Sequence, residues 1–150
     1  MIYFCYMKDE PLELLQKVLR DKRYSVTRAR QHVFELLLDH KPQSMHELNV
    51  RATGKIDRAS LYRTISLFEH LGVVQRIYIG WKYKIELSDA FLHHHHHISC
   101  LTCGKIMAIQ ENIEIEQLIN KLGQKYDITT DRHQLEIQGY CKACRTLQPH

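Results

Sequence analysis

HHHHHISCLTCGKI, residues 93–106, decides how the rest of this chain is read. Five consecutive histidines run into a C-x-x-C-G turn made by Cys100, Cys103 and Gly104, and a second C-x-x-C pair, Cys141 and Cys144, follows after 37 intervening residues. Two residues between cysteines let both sulfurs meet one ion as the chain turns, and Gly104 permits the turn. Two such knuckles supply four thiolates, the donor set of tetrahedral structural zinc with Zn–S near ~2.3 Å. One Zn2+ held this way ties the first strand of the region to its last, which matters most in a small domain with few core residues. The competing reading is a set of redox-active or idle thiols. The opening residues Met1–Tyr6 are apolar but short, without a basic lead or a small-residue cleavage site, so no signal peptide is expected and the cytoplasm is the default compartment. In that compartment paired cysteines favour metal over disulfides. Cys5 is left over from the pattern, with no assigned role.

The histidines add a second kind of donor. On a strand, alternate side chains face opposite sides, so His95 and His97 face one way and His94 and His96 the other. One strand can then feed two metal sites back to back. Imidazole suits Zn, Fe, Co, Ni, Mn or Cu, and carboxylates bias a site toward Fe or Mn. Glu86, just upstream, is within reach of the strand, and Glu116 and His133 lie in the same region and can complete one of the sites. The bland alternative is a solvated polyhistidine loop that binds metal loosely.

Around this stretch the hydrophobic pattern changes twice. Upstream, Leu12, Leu15 and Leu19 share a helical face within 11–22, and Ala29, Val33, Leu36 and Leu37 share another in a helix that Thr27 can cap. Ser44 and Glu47 make an S-x-x-E capping box. Asp57 can cap a helix over 58–71, whose inner stripe is Leu61, Ile65 and Phe68 and which Gly72 closes. Strands over 73–79 and 82–87 follow, with Gly80-Trp81 at the turn between them. Helices followed by a two-stranded hairpin describe a winged helix-turn-helix. Downstream of the histidines the pattern predicts strands at 97–100 and 105–109, a helix over 113–125 with the stripe Ile115, Leu118, Ile119 and Leu122, and a strand over 134–140. The expected fold is therefore α+β: a winged-helix domain over 1–87, a hinge at 88–92, and a small α/β dimerisation domain over 93–150 with the four-cysteine zinc site.

Charge follows the same division. Residues 1–87 hold 15 Lys and Arg against 10 Asp and Glu, whereas 88–150 hold 6 against 7. The excess cation sits in the front domain, as expected if that part meets phosphate. On the helix over 58–71, Arg58, Ser60, Tyr62 and Arg63 lie off the apolar stripe, toward the N-terminal half that leads a recognition helix into the major groove. Arg pairs bidentately with guanine, and Tyr touches a thymine methyl or a phosphate. Arg28, Arg30, Arg76, Lys82 and Lys84 are candidates to hold the backbone. The alternative is an ordinary charged helix face. No apolar run reaches the ~18 residues of a membrane helix, and no H-E-x-x-H or general base beside an open site suggests an enzyme or a small-molecule substrate.

In this order, VTRARQHVFELL (26–37), SLYRTISLFEHLGVV (60–74), HHHHISCLTCGKI (94–106) and HQLEIQGYCKAC (133–144) resemble the ferric uptake regulator family over nearly the whole chain. The resemblance implies a cytoplasmic homodimer whose sensory metal shapes it to bind a palindromic double-stranded DNA operator, usually repressing genes. By position, Cys100, Cys103, Cys141 and Cys144 match the family's structural zinc ligands. Glu86, His95 and His97 match its regulatory hinge site. His94, His96, Glu116 and His133 match an additional site in the dimerisation domain. His96 stands where the family often has Asp, and Glu116 aligns only with a one-residue insertion. Pro42 falls where a hinge-site histidine is common, with His40 close but off register, and Ala108 falls where a carboxylate is common. The missing carboxylate counts against the peroxide-sensing branch and leaves Fe2+ or Zn2+ as the sensed metal. A metal-storage or metal-delivery protein would use the same histidines, but it needs no basic reader helix.

Overall fold

The computed structural model describes residues 9–38, 41–131 and 133–146. Met1–Tyr6, Cys5 and His40 lie outside the described residues. The chain divides into two compact units: residues up to Ile77 together with Tyr83–Leu92, and Tyr78–Lys82 together with the residues from His93 onward.

The first unit opens with helices α1 (Asp9–Asp21), α2 (Arg28–Leu38), α3 (Met45–Ala52) and α4 (Arg58–His70), followed by strands β1 (Val74–Ile79) and β2 (Lys82–Leu87). Each of the last three helices starts at the residue whose side chain can take up a free backbone N–H. Thr27 Oγ1 accepts from the Arg30 N–H at 3.3 Å, and Asp57 accepts from the Ser60 N–H at 2.9 Å. Ser44 and Glu47 form the reciprocal capping box, in which the Ser44 N–H donates to Glu47 Oε2 at 2.6 Å and the Glu47 N–H donates back to Ser44 Oγ at 3.2 Å. The hydrogen bonds from Ser44 hold the Glu47 carboxyl below its usual range, with burial opposing and Lys84 assisting. Ser44→Ala is expected to cost ~1 kcal/mol and to lower the melting temperature of this unit by ~4–8 °C. A thermal melt followed by circular dichroism reads the shift, and an unmoved transition would show the box to be idle.

The apolar stripes meet in one core. Leu15, Leu19, Val33, Phe34, Leu48, Leu61, Phe68, Ile85 and Leu87 are buried in it. The Phe34 and Phe68 rings pack edge to face with centroids 6.5 Å apart, and Phe91 packs on Phe34 at 5.1 Å. Gln43 pairs with Ile85 through two backbone bonds of 2.9 and 2.7 Å. Its buried side chain donates to the Leu36 carbonyl at 2.9 Å, where Arg51 also donates at 2.8 Å. These bonds tie the entry of α3 to the hairpin. Gly72, with φ of +69°, takes the left-handed turn that ends α4 and feeds β1.

The second unit is a three-stranded sheet with helices. Strand β3 (His95–Cys100) lies between β4 (Ile106–Gln110) and β5 (Glu136–Gly139). It pairs antiparallel with β4, His97 opposite Ala108, and parallel with β5, Cys100 opposite Gly139. Helix α5 (Ile113–Lys125) crosses between β4 and β5, capped by Asn112, whose Oδ1 accepts from the Glu114 N–H at 2.8 Å. A four-residue helix, α6 (Lys142–Arg145), starts at Cys141. The histidine strand begins two residues earlier than the pattern predicts, and β5 is shorter than the expected 134–140.

The two units are held differently. The apolar core cluster lies wholly in the first unit. In the second, α5, β4 and β5 contain no buried residue among those described, and the buried side chains there include Cys100, Cys144, His96, His97 and Ser99. Met107, Ile113, Leu118, Leu122, Tyr126, Ile128 and Ile137 are exposed. A unit of this kind depends on ligand bonds and on whatever covers its apolar face. No helix among the described residues is long and apolar enough to cross a membrane.

Candidate metal centres and reader helix

The end of β3 and the start of α6 bring the two knuckles together. The Sγ atoms of Cys100, Cys103, Cys141 and Cys144 all lie within 4.8 Å of one another, and those of Cys103 and Cys141 are 3.9 Å apart. Four sulfurs ~2.3 Å from one tetrahedral ion stand ~3.8 Å apart, so the cluster fits zinc with little movement. All four are free thiols. Backbone N–H groups of Cys103 and then Cys141 stabilise the Cys100 thiolate and bring its pKa down to about 6. Cys144 is pushed up to about 12, by hydrogen bonding to the Cys141 sulfur and then by burial. Thiolate is favoured at Cys100 and disfavoured at Cys144, and a cation held among these sulfurs would take the place of thiol protons.

The opposite chemistry gathers on one face of β3. His94, His96, Glu116 and His133 also place their ligand atoms within 4.8 Å of one another. All three imidazoles turn Nε2 inward. His94 Nε2 meets His133 Nε2 at 3.0 Å, and His96 Nε2 meets Glu116 Oε1 at 3.0 Å. His133 Nε2 lies 3.4 Å from Glu116 Oε2. His96 is buried, and its Nδ1 has no hydrogen-bond partner, so the hydrogen-bonding capacity of that ring is aimed into the cluster. Burial works against the Glu116 carboxylate. The His96 hydrogen bond and the fields of His133, His94 and His96 outweigh it and hold the pKa below the usual value. Glu116 lies in the first turn of α5, where the helix dipole also favours a negative charge. Three imidazole nitrogens and a carboxylate, already converged, fit a divalent ion of the zinc or iron type.

His95 and His97 lie on the other face of β3, their rings 4.7 Å apart. His95 Nδ1 faces the His93 carbonyl at 2.8 Å. That bond places the ring proton on Nδ1 and leaves Nε2 as the lone-pair nitrogen, the usual way a ligand imidazole is set. Glu86 belongs to the first unit, where it is buried on β2 and accepts from Gln75 Nε2 at 2.8 Å. Ala108, exposed on β4, brings no donor, and Pro42 is half-buried.

In the first unit, α4 buries Leu61, Thr64, Ile65 and Phe68 and leaves Arg58, Tyr62 and Arg63 exposed, with Ser60 half-buried. The Arg58 guanidinium stands 5.5 Å from the Tyr62 ring centre, and Arg63 Nη2 donates to Ser60 Oγ at 3.0 Å. Arg30 donates to the Ser25 carbonyl. Arg30, Ser60 and Arg63 line one cleft with Thr27, Ala29 and Thr64. The sequence gives no reason to group the last three with these cations, because the cleft joins the starts of two helices distant in sequence. Of the wing cations, Arg76 is paired with Glu69 at 2.8 Å and stacked on Tyr83 at 4.3 Å, and Lys84 lies 3.8 Å from Glu47.

The chain is similar to known proteins. The model of the Ferric uptake regulator family matches residues 21–138. The ferric uptake regulation protein of Vibrio cholerae (El Tor Inaba N16961) is 31% identical over 133 residues, covering 83% of this chain and 85% of that protein. The Bacillus subtilis protein of the same name is 27% identical over 143 residues, covering 89% and 93%. The crystal structure of the Vibrio cholerae ferric uptake regulator, described as revealing a structural rearrangement of its DNA-binding domains, superposes with a TM-score of 0.69 at 28% identity. It covers 85% of this chain and 99% of that one.

Proposed function

The chain belongs to the ferric uptake regulator family, and from that premise we propose that it is a cytoplasmic, homodimeric, metal-dependent repressor of metal-homeostasis genes that binds palindromic DNA operators. The observation that carries this reading is the convergence of three imidazole Nε2 atoms and the Glu116 carboxylate in a unit with scarcely any apolar core of its own. Gathering three imidazoles and a carboxylate out of water costs free energy that an ion bound among them offsets. Cys100, Cys103, Cys141 and Cys144 hold structural Zn2+. Glu86, His95 and His97 form the regulatory set, and His94, His96, Glu116 and His133 a second sensory set, for Fe2+ or Zn2+. The lack of a carboxylate at Ala108 argues for iron or zinc sensing over peroxide sensing.

The bound metal supplies a fixed positive charge that its ligands share. The chain's own groups supply the rest: 1–87 as the reader, 88–92 as the hinge and 93–150 as the sensor and dimerisation domain. Metal acts by binding one arrangement of the domains better than the others. A ten- to hundredfold preference is worth ~1.4–2.7 kcal/mol, enough to switch an operator near half-saturation. In the competent form the two reader helices stand about one DNA turn apart, ~34 Å. Arg58, Ser60, Tyr62 and Arg63 read the groove, and Arg30 holds the backbone. The exposed apolar face of α5 is the surface a second copy covers.

A mobility-shift titration tests the switch. Operator affinity is expected to fall at least ~10-fold in chelator, and Arg63→Ala is expected to cost ~1–3 kcal/mol of operator binding with metal uptake unchanged. Equal binding with metal and with chelator would refute metal control. Full operator affinity in Arg63→Ala would remove α4 from the reading surface.

A further inference from the structure

Gly123 occupies the last turn of α5, inside the helix and without the left-handed φ that usually explains a glycine near a helix end. Asp127 takes the left-handed position instead, at φ of +54°. The Ile128 N–H donates to the Gly123 carbonyl at 2.9 Å, and the Asp127 N–H to the Gln124 carbonyl at 3.3 Å, the paired bonds of a Schellman cap. The reason for glycine lies in what crosses it. A Cβ on residue 123 would stand 2.5 Å from Thr130 Oγ1 and 2.7 Å from the Ile128 carbonyl oxygen. Both distances are closer than side-chain atoms approach, and the second involves backbone that cannot rotate away. Residues 128–130 therefore lie directly on the helix backbone at this point.

We propose that Gly123 is a positioning residue for the His94–His96–Glu116–His133 cluster, pinning the 128–130 segment so that His133 reaches Glu116. This rests on the reading of that cluster as a metal site. Glu116 lies seven residues before Gly123 on the same helix, a rise of ~10.5 Å. His133 lies three residues beyond Thr130, and three residues extend at most ~10–11 Å. A three-residue connection thus joins the pinned segment to the imidazole. It delivers His133 Nε2 to 3.4 Å from Glu116 Oε2 and 3.0 Å from His94 Nε2. A methyl at 123 lifts the segment off the helix and displaces the residues that lead to the third imidazole. The four-cysteine site is reached by β3 and by the chain beyond β5, and it does not depend on this tether.

The test is Gly123→Ala in the full chain, with Thr130→Gly and the double variant beside it, titrated with Co2+. The thiolate and imidazole sites are separated by their absorption bands, and amide hydrogen exchange is followed at Ile128 in the metal-free protein. Gly123→Ala is expected to weaken the imidazole site about tenfold or more, comparable to the loss of a supporting group, to leave the thiolate site filled, and to speed exchange at Ile128. The double variant, freed of the nearest contact, should recover part of the affinity. Unchanged affinity and exchange in Gly123→Ala, or equal loss of both sites in the single and double variants, would overturn the pin. A parent protein that fills only the thiolate site would sink the metal reading of the cluster, while exchange at Ile128 would still decide whether Gly123 holds the segment.

Discussion

Cys100→Ala is expected to strip zinc from the protein and to melt the second unit while the first stays folded. Removing a supporting group alone costs ~10–100-fold in metal affinity, and removing a ligand costs more. Structural zinc contributes ~10–16 kcal/mol of apparent folding free energy in small peptides at neutral pH, against a total stability of only ~5–15 kcal/mol for a whole domain. The second unit has little to substitute for it, since its helix and its two outer strands bury nothing among the described residues. Backbone N–H groups also bring the Cys100 thiol down to about 6, which favours the thiolate that binds an ion. Elemental analysis should show one zinc fewer per chain, and the melt should lose one of two transitions. A variant that keeps its zinc and melts like the parent would place the metal elsewhere. Phe34, Phe68 and the rest of the first core should keep their transition unchanged.

The second large effect is expected from Leu118→Glu with Leu122→Glu. Both side chains are exposed in the single chain, at 57% and 46%, so the substitutions leave the fold of one copy unstrained. They sit one helical turn apart on a face continued by Tyr126 and Ile128. If a second copy covers that face, each carboxylate must be buried without a partner, at ~3 kcal/mol or more apiece. With a two-fold axis every charge is paid twice, and dimer affinity should fall well over ~1000-fold at ~1.4 kcal/mol per decade. Sedimentation equilibrium distinguishes the outcomes. Monomer at concentrations where the parent is dimeric supports the face as the interface, and an undiminished dimer would move the interface to another surface.

Much of this was written locally in the chain. Thr27, Ser44 and Asp57 announce three helix starts, because a cap needs only residues three apart. The alternation of the histidines puts His94 and His96 on one face and His95 and His97 on the other, as strand geometry requires, and the two C-x-x-C pairs identify the sulfur cluster by spacing alone. What the sequence hid depended on how the chain folds back against itself. Gly123 reads as a mildly unfavourable residue inside a helix, and only the crossing of residues 128–130 gives it a purpose. The stripe Ile115, Leu118, Ile119 and Leu122 is periodic as expected, yet Leu118 and Leu122 are exposed, because periodicity reports which face is apolar and not what lies against it. Helix α6 has four residues and no stripe to betray it; the turn of the second knuckle creates it. Arg76, whose residue type suggests a cation for phosphate, is engaged by Glu69 and Tyr83.

The parallel pairing of β3 with β5 has a consequence for how the molecule is made. The first unit is complete once residue 92 has been synthesised. The sheet of the second unit joins Cys100 to Gly139, so its central strand must wait for nearly forty further residues before its neighbour exists, and non-local closures of this kind are slow. During that interval a nascent chain on the ribosome carries a folded first unit followed by an open run of imidazoles and one lone C-x-x-C. Ion capture by that half-built sequence, ahead of its proper partners, is the hazard that biogenesis of this protein has to outrun.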